Sequence, residues 1–156
     1  MNSIWNNNYS AFKNRFPALA QITGKVLEQP VAADFVQTWQ LSLAKNDQFT
    51  VSENNLRLHS AYNPEREAFL AVNQKEIAEK STTVFYGFGL GYHLVQWAKL
   101  YGKTKKLVII EPDINHFFAA MTVIDWTEVF TVNNLILAAG CPCESVLQLL
   151  ENADSV

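Results

Sequence analysis

Apolar residues near the start of the chain fall at Trp5, Tyr9, Phe12 and Phe16, spaced to lie on one face of a helix that Pro17 ends or restarts. An aromatic stripe at this spacing is a packing surface. From Phe35 the period shortens, and Phe35, Trp39, Leu41 and Leu43 alternate with Thr38, Gln40 and Ser42 as in a half-buried strand. Asn46-Asp47-Gln48 turns the chain into Phe49-Thr50-Val51, and Asn54-Asn55 turns it again into Leu56-Arg57-Leu58, which makes a small antiparallel meander. Asn63-Pro64-Glu65 reads as an N-cap, a first helical residue and a helix-stabilising acid. A helix over about 64–80 is predicted, burying Phe69, Val72 and Ile77. Val84-Phe85-Tyr86 and Leu107 to Ile110 are short apolar runs on either side of an amphipathic segment, hence strand, helix, strand. Pro112 and Asp113 open a further helix through about Met121, with Phe117, Phe118 and Met121 inward. Leu135 to Ala138 forms a third buried strand, and Cys143 to Glu151 returns to helical spacing.

The order β-α-β-α-β-α predicts an α/β fold: a partial parallel sheet of the Rossmann-like, methyltransferase-like kind, preceded by an N-terminal helix and the meander. The expected division is 1–63 for helix and meander and 64–156 for the half-domain. Three parallel strands are half of a doubly wound sheet, and natural proteins rarely leave such an edge unpaired. The chain is therefore expected to be an N-terminal domain of a longer protein, or to form a homo-oligomer through its open edge.

With 156 residues, 49% of them apolar, the chain can bury a core. A net charge of −3 leaves no basic field for nucleic acid. Lys99, Lys103, Lys105 and Lys106 read instead as cations at a helix C-terminus beside Gly102. No apolar run approaches the roughly 20 residues that cross a bilayer, and MNSIWNNNYS has neither the basic nor the apolar part of a signal peptide. A cytoplasmic protein, with no membrane or nucleic-acid partner, is the expectation. Cys141-Pro142-Cys143 is C-x-C, read as two free thiols. His59, His93 and His116 lack metal-ligand spacing, and no Ser stands on a G-x-S-x-G elbow.

The candidate chemistry lies between Ser81 and Asp113. A strand enters Gly87-Phe88-Gly89-Leu90-Gly91, a helix follows, and the next strand ends on Glu111, twenty residues after Gly91. Glycines let backbone amides approach a ligand, a helix N-terminus favours negative charge, and a carboxylate at that strand end can accept from ribose hydroxyls. The candidate ligand-binding residues are Gly87, Gly89, Gly91, His93, Glu111 and Asp113. A dinucleotide turn needs G-x-G-x-x-G, but Tyr92 holds the third position. G-x-G-x-G with a downstream acid is closer to the first motif of S-adenosylmethionine-dependent methyltransferases, although the same glycines would also serve a ligand-free tight turn. Ser60, Tyr62 and Arg66 are candidate substrate contacts facing the glycine turn, or else parts of a well-capped helix.

Together, L-H-S-x-Y-x-P-x-x-E-A at Leu58 to Ala68, G-x-G-L-G-Y at Gly87 to Tyr92 and I-E-P-D at Ile110 to Asp113 resemble the N-terminal domain of the motility accessory factor family. The resemblance spans about Phe35 to Val156. It departs at Asn63, where Asp is expected before the proline; the capping ability is kept and a charge is lost. The resemblance implies a Rossmann-like fold in bacterial proteins that transfer nonulosonic sugars to flagellin, with transfer performed by a following domain. It implies no catalytic residue here, and flagellin or that downstream domain as partner. The ligand of the glycine turn is left undefined, a nucleotide-sugar or an S-adenosylmethionine-like molecule. A methyltransferase fragment and a protein-interaction module are the alternatives.

Overall fold

The computed structural model describes residues 3–23 and 28–153. The first helix, α1 (Ser3–Arg15), does not run through Pro17. Its successor α2 (Pro17–Thr23) restarts at the proline, whose missing N–H costs nothing in a first turn. A 3-10 turn at Ala32–Asp34 leads to β1 (Trp39–Leu43), β2 (Phe49–Glu53) and β3 (Leu56–Arg57), an antiparallel sheet in that order. Asp47, Asn54 and Asn55 adopt positive φ in its turns, a conformation Asn and Asp tolerate better than other side chains.

The alternation expected of β1 holds in its pairing but not in its burial. Trp39 and Val51 are buried, whereas Leu41 and Leu43, on the same face, are exposed together with Phe49. A three-stranded meander this short covers only the end of the face that reaches the main core.

The helix expected over 64–80 is two helices. α3 (Pro64–Val72) stops at Asn73, and α4 (Lys75–Ala78) starts after Gln74. Asn63 Oδ1 accepts the Arg66 amide at 2.8 Å, so the cap functions with Asn in place of Asp. Pro64, Ala68 and Val72, four apart, form the buried face. Phe69 lies one position off that stripe and is exposed, contrary to expectation, while Ile77 is only partly buried.

The second sheet is parallel, ordered β4 (Thr82–Tyr86), β5 (Lys106–Glu111) and β6 (Asn134–Ala139). Helix α5 (Tyr92–Tyr101) connects β4 to β5, while α6 (Ile114–Met121) and the short α7 (Thr127–Phe130) connect β5 to β6. Leu107, Ile109, Leu135 and Leu137 face the large core with Leu94, Trp97 and Phe117. Val108, Ile110 and Ala138 face the other way, against Val146 and Leu150 of α8 (Cys143–Ala153). Among the described residues β4 pairs with β5 alone, and its Val84 and Tyr86 are 50% and 70% exposed.

Helix α1 closes the core with the predicted aromatic stripe. Trp5 and Phe12 are buried against Phe118, and Phe12 meets Phe117 edge-on at 5.2 Å. One residue of the same helix carries no apolar signal. Asn8 is fully buried, donates to the Met121 and Ile124 carbonyls and accepts the Trp126 amide at 2.7 Å. It ties α1 to the α6–α7 connection, where the backbone would otherwise leave polar groups unpaired. The lysines act locally, as Lys99 pairs with Glu65 at 3.4 Å and Lys105 caps the carbonyls of Ile77 and Ala78 at the end of α4. The Lys105 ammonium also lies over the ring of Tyr101, the last residue of α5, at 4.5 Å from its centroid.

Candidate functional site

A cavity of about 500 Å3 opens beyond the carboxyl ends of β4 and β5, where ligands enter open α/β sheets. Gly87, Phe88 and Gly89 form one wall and His93 of α5 another, with Glu111 at the end of β5. Phe85 and Leu58 provide apolar surface, while Glu53 of the meander, His59 and His116 of α6 complete the lining.

The glycine turn has three distinct uses. All three glycines take positive φ, as a strand-to-helix turn this tight requires. A Cβ on Gly87 would meet nothing within 4 Å, so this residue faces the opening. A Cβ on Gly89 would lie 2.5 Å from His59 Nε2, and one on Gly91 would overlap the Trp126 indole. Two of the glycines are therefore required by the protein's own side chains. Trp126 Nε1 donates to the Leu90 carbonyl at 2.9 Å, and the Leu90 amide donates to His59 Nε2 at 2.8 Å.

His59 is 4% exposed and holds the turn as a hydrogen-bond acceptor, which places its proton on Nδ1. Burial, aided by neighbouring His93, pushes its pKa down to about 4. His93 stacks on it with ring centroids 6.0 Å apart and is likewise lowered by burial, against the pull of Glu67. Both rings are neutral at pH 7.

Glu111 is 7% exposed and, among the described residues, accepts one hydrogen bond, from the Asp113 amide at 3.1 Å to Oε1. Burial raises its pKa, with that amide and His116 acting in the opposite direction. Glu53 is also pushed up by burial, but the Thr38 hydroxyl and His116 outweigh this and leave it lowered. His116 Nε2 lies 3.2 Å from both Glu53 oxygens; its Nδ1 is 3.3 Å from Asp113 Oδ2, close but outside hydrogen-bond geometry.

Of the residues singled out in the sequence, Gly87, Gly89, His93 and Glu111 meet around this cavity. Gly91 lies behind the turn under Trp126. Asp113 caps α6 through the Asn115 amide and stands beside His116 without lining the cavity. Ser60, Tyr62 and Arg66 do not line it either. The Ser60 hydroxyl accepts the amides of Tyr62 and Asn63, Tyr62 lies exposed beneath the Lys45 ammonium, and Arg66 is exposed on α3. The physical reason is direction: at the end of the meander His59 turns inward, and the next residues turn outward to start α3. Glu53 and His116 carry no local mark in the sequence as cavity residues, and His59, although it stands in the L-H-S-x-Y-x-P block, has nothing in that block that aims it at the glycine turn. Among the described residues, no group of three or more His, Cys, Asp or Glu side chains is placed to hold a metal ion. Cys141 is a free thiol, and the Cys143 side chain lies outside the described residues.

A parallel sheet with a glycine turn after its first strand, an acid after its second and a cavity at their carboxyl ends defines a Rossmann-like α/β domain. The model of the glycosyltransferase Maf N-terminal domain matches residues 34–134, more than half of the chain. The chain belongs to that family. A protein of Treponema pallidum (strain Nichols) is 28% identical over 155 residues, which cover 96% of this chain and 51% of that protein. The chain thus spans about half the length of the curated relative it matches. The structure of the Maf glycosyltransferase from Magnetospirillum magneticum AMB-1 superposes with a TM-score of 0.57 at 14% identity, over 98% of this chain and 30% of that one. At that identity the likeness shows a shared fold. No helix among the described residues is long and apolar enough to cross a membrane.

Proposed function

We propose that this chain is the ligand-holding N-terminal domain of a Maf-type flagellin glycosyltransferase and does not itself transfer sugar. The observation that carries the reading is Glu111. A carboxylate that is nine-tenths buried, with one backbone donor and no lysine or arginine paired with it among the described residues, costs stability unless something else uses it. Its place across the cavity from Gly87, the open glycine, is where a nucleoside- or sugar-sized body would rest. Transfer belongs, on this reading, to the part of the longer relatives that this chain does not cover.

The test is a transfer assay with flagellin and a CMP-activated nonulosonic sugar, comparing residues 1–156 with a full-length family member. No transfer by residues 1–156 is expected, and robust transfer by them alone would overturn the proposal. A methyltransferase-type ligand is the competing reading, favoured by the G-x-G-x-G turn and Glu111; calorimetric heat with S-adenosylmethionine would support it. The free edge of β4, with Val84 and Tyr86 exposed, also favours a protein contact there, either a further strand or a second copy. Sedimentation showing only monomer across a wide concentration range would remove the second copy.

A further inference from the structure

Resting on the reading of this cavity as a ligand site, we propose that it selects a phosphate-free ring bearing neighbouring hydroxyls, a nucleoside or an uncharged sugar, with Glu111 accepting from the hydroxyl pair. A glycine turn at a helix N-terminus normally invites phosphate, because its amides point at the ligand. Here three amides of the turn are already engaged. Gly87 N–H donates to the Ile110 carbonyl at 2.9 Å, Leu90 N–H to His59 at 2.8 Å, and Gly91 N–H to the Phe88 carbonyl at 2.9 Å.

The charges point the same way. Among the described residues the lining contains two carboxylates, Glu53 and Glu111, and neither a lysine nor an arginine. His59 and His93 are neutral at pH 7, and His116, the third imidazole of the lining, is already taken up by Glu53. A like charge held near Glu111 in a partly desolvated cavity is repelled more strongly than it would be in water. Hydroxyls suit the same groups. Glu111 Oε2 has no hydrogen-bond partner among the described residues, and a carboxylate accepts a pair of adjacent hydroxyls well, as ribose-binding acids do at this position of the fold. Phe85 and Leu58 offer the flat face of a ring an apolar surface.

Calorimetry and protein-observed NMR at pH 7.5 would test this on residues 1–156. Cytidine would be compared with CMP and CDP, adenosine with AMP and ADP, 2′,3′-dideoxyadenosine would remove the diol, and D-mannose would stand for an uncharged sugar. At least one phosphate-free ligand is expected to bind and to shift the Leu90 amide resonance, and the nucleoside and sugar arms tell the two sources apart. Each added phosphate is expected to weaken binding at least tenfold, and loss of the diol or Glu111→Gln to weaken it by a similar factor. Tighter binding of CMP or ADP than of the parent nucleoside would overturn the selectivity while leaving the ligand site intact. Binding that Glu111→Gln leaves unchanged would overturn the role of the carboxylate. No binding by any of these ligands up to 10 mM, roughly the weakest affinity worth calling a site, would overturn both this inference and the ligand-site reading beneath it.

Discussion

Acidification should loosen the glycine turn through one residue. His59 Nε2 accepts the Leu90 amide, and a protonated imidazole has no lone pair with which to do so. Protonation would also place a charge on a ring that is 4% exposed. The folded-state pKa of about 4 lies below the ordinary 6.5. The unfolded chain therefore takes up this proton first as pH falls, and stability drops. The contribution of neutral His59 is fully present above pH 6.5 and is lost as pH falls toward 4. The gap corresponds to roughly 3 kcal/mol, with a slope of at most about 1.4 kcal/mol per pH unit. Urea unfolding of the wild type and of His59→Gln, at steps from pH 7.5 to 4, isolates the effect. The glutamine oxygen can accept the same amide but does not titrate, while the other ionisable groups remain in both proteins. The wild-type advantage should shrink by about 3 kcal/mol across that range. A difference that stays flat with pH, or an NMR titration of His59 with its midpoint near 6.5, would refute the clamp.

Four further outcomes follow from the packing. Asn8→Ala removes a donor and an acceptor that satisfy three backbone groups, two of them in fully buried hydrogen bonds, and should cost about 3 kcal/mol in urea unfolding despite lying in an N-terminal helix. Gly91→Ala forces a Cβ into the Trp126 ring at positive φ and should cost about 3 kcal/mol, lowering the melting temperature by roughly 10 °C. Gly87→Ala, also at positive φ but facing open space, should cost only about 1 kcal/mol. Glu111→Gln should raise stability at pH 7, because burial holds the carboxyl pKa up and the ionised form weakens the fold. That penalty is relieved as pH falls through the raised pKa, so the gain of the variant should fade in acid.

The elements and their order were legible in the chain because they follow local rules. Periods of two and near four, Asn-rich turns, Asn63 before Pro64 and the G-x-G-x-G turn each state a backbone preference that needs no distant partner. The parallel strands β4, β5 and β6 and the aromatic face of α1 followed directly. So did Glu111, since the end of a strand is a position that sequence spacing can count.

Tertiary structure decided what the glycines are for. Gly89 makes room for His59, thirty residues earlier, and Gly91 for Trp126, thirty-five later. It likewise turned Ser60, Tyr62 and Arg66 outward, brought Glu53 and His116 to the cavity and buried Asn8. Such contacts depend on how separate elements dock, and a periodic pattern along one element does not encode which side chain of another will meet it.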